Sequence, residues 1–456
     1  MHQRYRAPII IMMMILTALS SFALANERDI PTSVSSVKLD DLVRVNGNLR
    51  YGFNYLDDFS DDPAASAHDF RTRLTLNFFP NDKEQGVVEF QSWKLLGGDY
   101  YGQGSDDGSI NFSQMYISVD DCLGNNIGGK IGRMRYQVAN ERIIGDDSWS
   151  SSQSYDGGVF YLGDKNIFTH YNEVRNHTEH TWMERIEVLK TTPKPSYTTG
   201  LGGELLLFKR AENDPAGDDD QEFMGVNLFV PKIGIMPFAY YDRDNELIGG
   251  HRREHQYTIG SYGKFDIGKN LLLEGNFAYQ MGKFRYGPND DDKEDIGAYL
   301  LQADLFYYAG NYERPIAFGV GIDMTSGDDG EDEDKYKSWT NVTRSPHQFQ
   351  GRTDLLGDNL IYGLNDIVGR IAYYPSEKVT TGLDLHLLRT NVDYFTGVED
   401  EKSSSIGTEF DFYLRYNMHQ RTHWTFELNY LKPSEDWAGE DADAFMTGIV
   451  RATFTF

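Results

Sequence analysis

The sequence predicts an all-β fold, a single-chain transmembrane antiparallel β-barrel, and three observations lead there. The chain starts with an export signal. From Val43 to Phe456 its segments alternate apolar and polar residues with period two, and its connections alternate between short turns and long acidic stretches.

The export signal comes first. His2, Arg4 and Arg6 make a basic start, an apolar run spans Ile9 to Leu19, and Ala23-Leu24-Ala25 is a small-x-small cleavage pattern. The run is shorter than the ~18 apolar residues of a helical span. Residues 1–25 therefore read as a cleaved signal peptide, 26–42 as a periplasmic N-terminal segment, and 43–456 as the barrel with long acidic extracellular loops. An exported barrel belongs in the outer membrane of a Gram-negative bacterium, in contact with its lipid and lipopolysaccharide.

Composition narrows the function classes. The formal charge is −27, which argues against a nucleic-acid partner, whose phosphates need a basic face. Cys122 is the only cysteine, so no intrachain disulfide or thiolate metal cluster can form. Aromatic residues reach 14% and no Pro/Ser/Gly-rich linker divides the chain, which favours one large β structure.

Each strand then shows its two faces. In "FRTRLTLNF", Phe70, Thr72, Leu74, Leu76 and Phe78 oppose Arg71, Arg73, Thr75 and Asn77. In "TEFDFYLRYNM", Phe410, Phe412, Leu414, Tyr416 and Met418 oppose Glu409, Asp411, Tyr413, Arg415 and Asn417. The terminal "AFMTGIVRATFTF" sets Val450, Ala452, Phe454 and Phe456 against Ile449, Arg451, Thr453 and Thr455. Segments of about ten residues suit a tilted strand crossing a bilayer. The turns "PNDK", "DIGKN", "PSEK" and "NMHQR" are short, whereas "DDFSDDPAASA", "NDPAGDDDQE", "PNDDDKED" and Ser326–Leu360 are long and acidic. Eighteen strands result if Asn166–Thr192 is one excursion, and twenty if "NIFTHYNEV" and "TWMERIEVL" pair as a further hairpin.

Several segments resemble the alginate-export family of outer-membrane porins: "GRMRYQVANERIIGDDSW", "QSYDGGVFYL", "SGDDG", "LLGDNLIYGLND", "YYPSEKVTTGLDLHLLRTNVD" and "GTEFDFYLRYNM", in that order. Tyr155 departs from the family's Phe before Asp-Gly, and Met134 stands where Gln is usual. The resemblance implies a barrel with an arginine-rich lumen conducting an anionic polysaccharide, with periplasmic export partners.

Alternation by itself places Arg50, Arg71, Arg73, Arg133, Arg135, Arg370, Arg415 and Arg451 inward, together with Glu89, Asp366 and Asp411. An arginine on the lipid side costs ~2–4 kcal/mol at the bilayer midplane, which enforces that parity. Arg142 follows the strand and is expected in a loop folding inward, while Arg389 falls on the lipid-facing parity and reads as a bulge or interfacial residue. Guanidinium groups can replace water around passing carboxylates, so the expected function is passive passage of anionic saccharides or other organic anions. The alternatives are a general or cation-preferring porin, or a structural or adhesive barrel with acidic surface loops. Tyr51, Tyr116, Tyr136, Trp93 and Trp149 are candidates for sugar stacking, against the commoner use of such residues in interfacial girdles. No cofactor is expected. The acidic run "SGDDGEDEDKY" leaves Asp328, Asp329, Asp332 and Asp334 as a weak Ca²⁺ candidate, less favoured than a solvated loop. No G-x-S-x-G, H-E-x-x-H or P-loop occurs, so no enzyme is expected.

Overall fold

The computed structural model describes residues 42–57, 65–96, 109–121, 126–145, 153–163, 201–210, 222–243, 251–268, 270–286, 293–310, 315–332, 334–342, 349–354, 356, 360–376, 378–396, 401–439 and 443–456. The chain divides into a unit Met1–Val43, of which only residues 42 and 43 are described, and a unit Arg44–Phe456, which carries the barrel. The signal peptide, Cys122, Trp149 and the Asn166–Thr192 excursion lie outside the described residues.

The strands are β1 Val43–Asp57, β2 Ala65–Asn81, β3 Glu84–Leu96, β4 Ile110–Val119, β5 Ile127–Met134, β6 Tyr155–Leu162, β7 Gly202–Arg210, β8 Glu222–Phe229 and β9 Ile235–Arg243. They continue as β10 His251–Ile267, β11 Leu271–Tyr286, β12 Lys293–Gly310, β13 Pro315–Thr325, β14 Lys335–Tyr336, β15 Leu364–Ser376, β16 Val379–Phe395, β17 Lys402–His419, β18 Thr422–Pro433 and β19 Phe445–Thr455. The two-residue β14 sits in a loop and pairs parallel with β12, so β13 pairs directly with β15. The other eighteen strands each pair antiparallel with the next, and β19 returns to β1. Eighteen is the number expected from the single-excursion reading, and β6 and β7 pair with each other along their length. The seam is sealed by reciprocal backbone bonds between Gly47 and Phe456, both 3.0 Å.

Alternation sets which face is wet. Outward positions carry Phe277, Leu301, Val320, Ile367, Leu428 and their like, all exposed, while inward positions carry Gln280, Gln302, Asp323, Asp366 and Asn429, all buried. A soluble protein would not leave so continuous an apolar exterior; hydrocarbon is the solvent that suits it. The turns named from the sequence fall at one end of the barrel, between β2 and β3, β10 and β11, β15 and β16, and β17 and β18. The acidic stretches join strands at the other end. Arg389 is exposed at a register shift in the β15–β16–β17 pairing, as its parity suggested.

Val320, at the middle of β13, is 55% exposed and faces outward. Val320→Arg is expected to lower folding stability by about 2–4 kcal/mol in urea titrations of the vesicle-inserted barrel, and Val320→Ile to leave it close to wild type.

Candidate functional site

The inner wall of β1, β2, β3 and β19 gathers arginines. Arg50, Arg71, Arg73 and Arg451 are nearly fully buried there and face the lumen. Asp69 of β2 lies among them: Arg50 Nη2 is 3.2 Å away, Arg451 Nε 3.7 Å, and Asn54 Nδ2 donates to it at 3.0 Å. Arg451 and Asp69 belong to strands on either side of β1, and Gly52 stands between them. A Cβ at Gly52 would come within 2.0 Å of the Asp69 carboxylate, so only glycine lets the pair meet across the strand.

Register places Trp93 opposite Arg71, Gln91 opposite Arg73 and Glu89 opposite Thr75. Glu89 accepts from Thr75 Oγ1 and Ser113 Oγ, both at 2.7 Å, and Arg135 Nη2 reaches it at 3.2 Å. The Trp93 indole Nε1 is buried and finds no hydrogen-bond acceptor among the described residues. On this wall Asp69 and Glu89 are thus the carboxylates set against Arg50, Arg71, Arg73, Arg135 and Arg451.

The remaining wall, from β11 round to β18 beside β19, has the opposite character. Glu274, Asp304, Asp323, Asp366, Asp384, Glu409, Asp411 and Glu427 are buried on β11 to β18. Arg370 is hydrogen-bonded to Asp304, with its Nε 3.9 Å from Asp384. His386 lies between Asp366, at 2.8 Å, and Asp411, at 3.4 Å.

Two inward loops complete the site. After β5 the chain turns into the lumen, and the apolar Val138, Ala139, Ile143 and Ile144 pack on Leu206, Phe208, Phe223 and Phe238 of the inner wall. Several of its polar side chains bond the wall directly. Tyr136 donates to Glu204 at 2.8 Å, Asn140 donates to Gln302 and accepts from Asn276, both at 2.7 Å. Arg142, fully buried, makes a two-pronged bond to Asp323 at 2.6 and 2.8 Å and donates to Asn341 at 3.0 Å. Burial, reinforced by the Glu204 and Tyr240 charges, holds the Tyr136 hydroxyl well above its ordinary range, so it stays a donor.

The second loop joins β13 to β15. Thr340 exchanges two bonds with the Gln280 side chain, at 2.7 and 3.1 Å. Further along, Arg352 Nη1 sits 3.1 Å from Glu427, its guanidinium lies 4.7 Å over the Tyr413 ring, and Thr353 bonds Glu409 twice. Burial alone would lower the Arg352 pKa, but the Glu427 and Asp384 carboxylates outweigh it and the net direction is up. The loops meet where Arg142 contacts Asn341 and lies 5.4 Å over Phe349. Both hold non-glycine residues at positive φ: Ala139 and Glu141 in one, Gln350 and Asp354 in the other. Such residues cost about 1–3 kcal/mol each and persist only where surrounding contacts hold them.

The sequence-predicted residues divide as follows. Arg50, Arg71, Arg73, Arg370, Arg415, Arg451, Glu89, Asp366 and Asp411 occupy inward positions, Arg415 near the short-turn end with its Nε on Asn417. Arg135 and Arg142 reach the lumen from the loop. Arg133 does not. It is registered opposite Met115, an exposed outward residue, and its guanidinium takes both oxygens of outward Asp156 at 2.8 and 2.7 Å. The midplane penalty does not bear on it, because it lies at the loop end of β5 with a carboxylate for a partner.

Of the aromatic candidates, Tyr116 and Tyr136 turn inward, whereas Tyr51 faces out against His68 and Phe70. Asp328, Asp329 and Asp332 accept from backbone amides of their own loop, and among the described residues no metal-holding group of His, Cys, Asp and Glu forms. Arg352 gave no sequence signal, since it lies in a loop without period; Asp69, Asp384 and His386 were legible by extending the alternation of their strands.

No family model matches the chain and no curated protein matches it in sequence, so the likeness to the alginate-export family stands on the quoted motifs alone. Solved structures do match in fold. The barrel resembles Pseudomonas aeruginosa OccK3 (OpdO), with TM-score 0.54 and 13% identity over 92% of this chain and 97% of that one. It also resembles Acinetobacter baumannii OccAB4, with TM-score 0.53 and 11% identity over 91% and 98%. A third is P. aeruginosa OccK2 (OpdF) in complex with glucuronate, with TM-score 0.50 and 13% identity over 91% and 96%. The fold is that of Gram-negative outer-membrane porins, a closed barrel of eighteen antiparallel strands.

Removing Arg142 leaves Asp323 buried without its partner, a change that typically costs about 3–5 kcal/mol. Arg142→Ala is expected to lower the temperature at which the detergent-solubilised barrel loses its heat-modifiable migration. Arg142→Ala/Asp323→Ala is expected to recover much of that loss, by the non-additivity of a directly coupled pair.

Proposed function

We propose that the chain is an outer-membrane channel for the passive passage of small organic anions, with carboxylate-bearing sugars and their short oligomers as the preferred class. The single observation that carries this reading is the segregation of charge across the lumen. Arg50, Arg71, Arg73, Arg135 and Arg451 face Asp69 and Glu89 on one wall, while the acidic wall opposite is itself met by Arg142, Arg352, Arg370 and His386. A carboxylate passing between the walls is attracted to the arginine side, and the Trp93 N–H beside Arg71 adds a donor.

The solved neighbour that holds glucuronate supports the substrate class, and a barrel of this fold suits transport better than an enzyme. Two loops packed into the lumen favour small solutes and short oligomers over a bulky polymer, so passage of alginate itself is the narrower part of the proposal. A polyanion entering from outside would also cross acidic loops, which repel it at long range.

Planar-bilayer reversal potentials under a salt gradient test the reading. Wild type is expected to prefer anions, and Arg71→Ala/Arg73→Ala to lose most of that preference while keeping measurable conductance. Glucuronate added to one side is expected to block chloride current in wild type and far less in the variant. A barrel without conductance, or a cation preference that the substitutions leave unchanged, would sink the proposal.

A further inference from the structure

The outer face of the barrel carries a feature that transport does not use. Registered pairing lines up Arg133, Asp156, Lys209, Glu222 and Arg243 on five consecutive strands, β5 to β9, each directly opposite the next. The row resumes on β10 to β12 with His255, Lys283 and Asp295, and ends on Lys335 of β14. All lie on the outward parity. The next outward residues toward the short-turn end are Ile131, Leu207, Met224, Tyr241, Tyr257 and Met281, which are apolar or aromatic.

The row therefore borders the hydrocarbon-facing surface on its loop side, where lipid headgroups lie, and Tyr241 and Tyr257 contact each other just below it with ring centroids 5.3 Å apart. Neighbouring strands are about 4.8 Å apart, so the β5–β9 part runs roughly 19 Å, obliquely because barrel strands tilt.

Cations exceed acids along it: Arg133, Lys209, Arg243, Lys283 and Lys335 against Asp156, Glu222 and Asp295. In a chain of charge −27 this surplus runs against the general composition. On β13 and β15 the comparable outward positions are the uncharged Met324 and Asn365. Asp156 is ion-paired with Arg133 and Asp295 with Lys283, and Glu222 is registered between Lys209 and Arg243.

We propose that this row is a docking belt for the phosphorylated headgroups of outer-leaflet glycolipid, with Lys209 and Arg243 as its principal phosphate contacts. The acyl chains then lie against Leu207, Met224 and Tyr241, immediately below. The inference rests on the outer-membrane placement proposed above, but not on anion passage, since the row faces away from the lumen.

Titration of the full-length detergent-solubilised barrel with bisphosphorylated lipid A, read by native mass spectrometry, tests it. Juxtamembrane cations contribute about 1 kcal/mol each toward anionic lipid, so Lys209→Gln/Arg243→Gln is expected to bind about thirtyfold more weakly. Arg389→Gln/Lys432→Gln, on another part of the outer face, is expected to bind like wild type. The proposal is overturned if the first variant binds as tightly as wild type or if dephosphorylated lipid A binds wild type equally well. It is also overturned if excess inorganic phosphate displaces the lipid completely, which would mark a free-anion site instead. Should the first variant not fold, the comparison of phosphorylated with dephosphorylated lipid on wild type still decides. Bilayer selectivity of the variants is expected to stay at the wild-type value, which separates failure of this inference from failure of the channel reading.

Discussion

Every backbone amide and carbonyl that meets hydrocarbon must be satisfied within the protein, and the rest of this structure depends on that requirement. An open sheet would leave two unpaired edges in the membrane, so β19 has to find β1, and the Gly47–Phe456 bonds complete the ring. Once the ring is closed, period-two alternation leaves no freedom about where polar side chains go. Half of every spanning strand faces a common interior, which takes the charge of the strand centres, while the outward charges stand near the loop side.

Such an interior cannot hold like charges without relief, because unpaired ions out of water are costly. The relief here comes from the loops. Arg142 and Arg352 arrive from outside the strands and bind Asp323 and Glu427, so the acidic wall receives cations beyond Arg370, His386 and Arg415 of its own strands. The wall of β1, β2 and β19 receives no comparable acidic visitor among the described residues; its arginines gather around Asp69 and Glu89. The asymmetry between the walls is thus a product of loop folding as much as of strand composition. The positive-φ residues in both loops mark what holding that arrangement demands of the backbone.

Much of this was legible in the chain itself. Alternation in "FRTRLTLNF" and at the C-terminus located Arg71, Arg73 and Arg451, and the hairpins left eighteen or twenty strands, of which the closed barrel has eighteen. Arg133 departs from its expected inward face because the penalty for a lipid-facing arginine is not uniform but fades away from the midplane. In "GKIGRM" the true guide was Ile131, which fixes the outward face two residues earlier. Arg352 was invisible because loop residues obey no period. Its position follows from Glu409, Asp411 and Glu427, which the adjacent strands β17 and β18 hold together before one loop.

Gly52 has a consequence for the order of assembly. The Asp69–Arg451 contact spans strands from opposite ends of the sequence and passes over β1 at Gly52, where no side chain intervenes. It can form only when the last strand has docked, after hundreds of residues of intervening chain have been laid down, so it contributes nothing to earlier intermediates and acts on the closed ring alone. In kinetic language it belongs to the class of interactions that slow opening without hastening closure. A side chain at residue 52 would press on the Asp69 carboxylate and shorten the lifetime of the finished barrel.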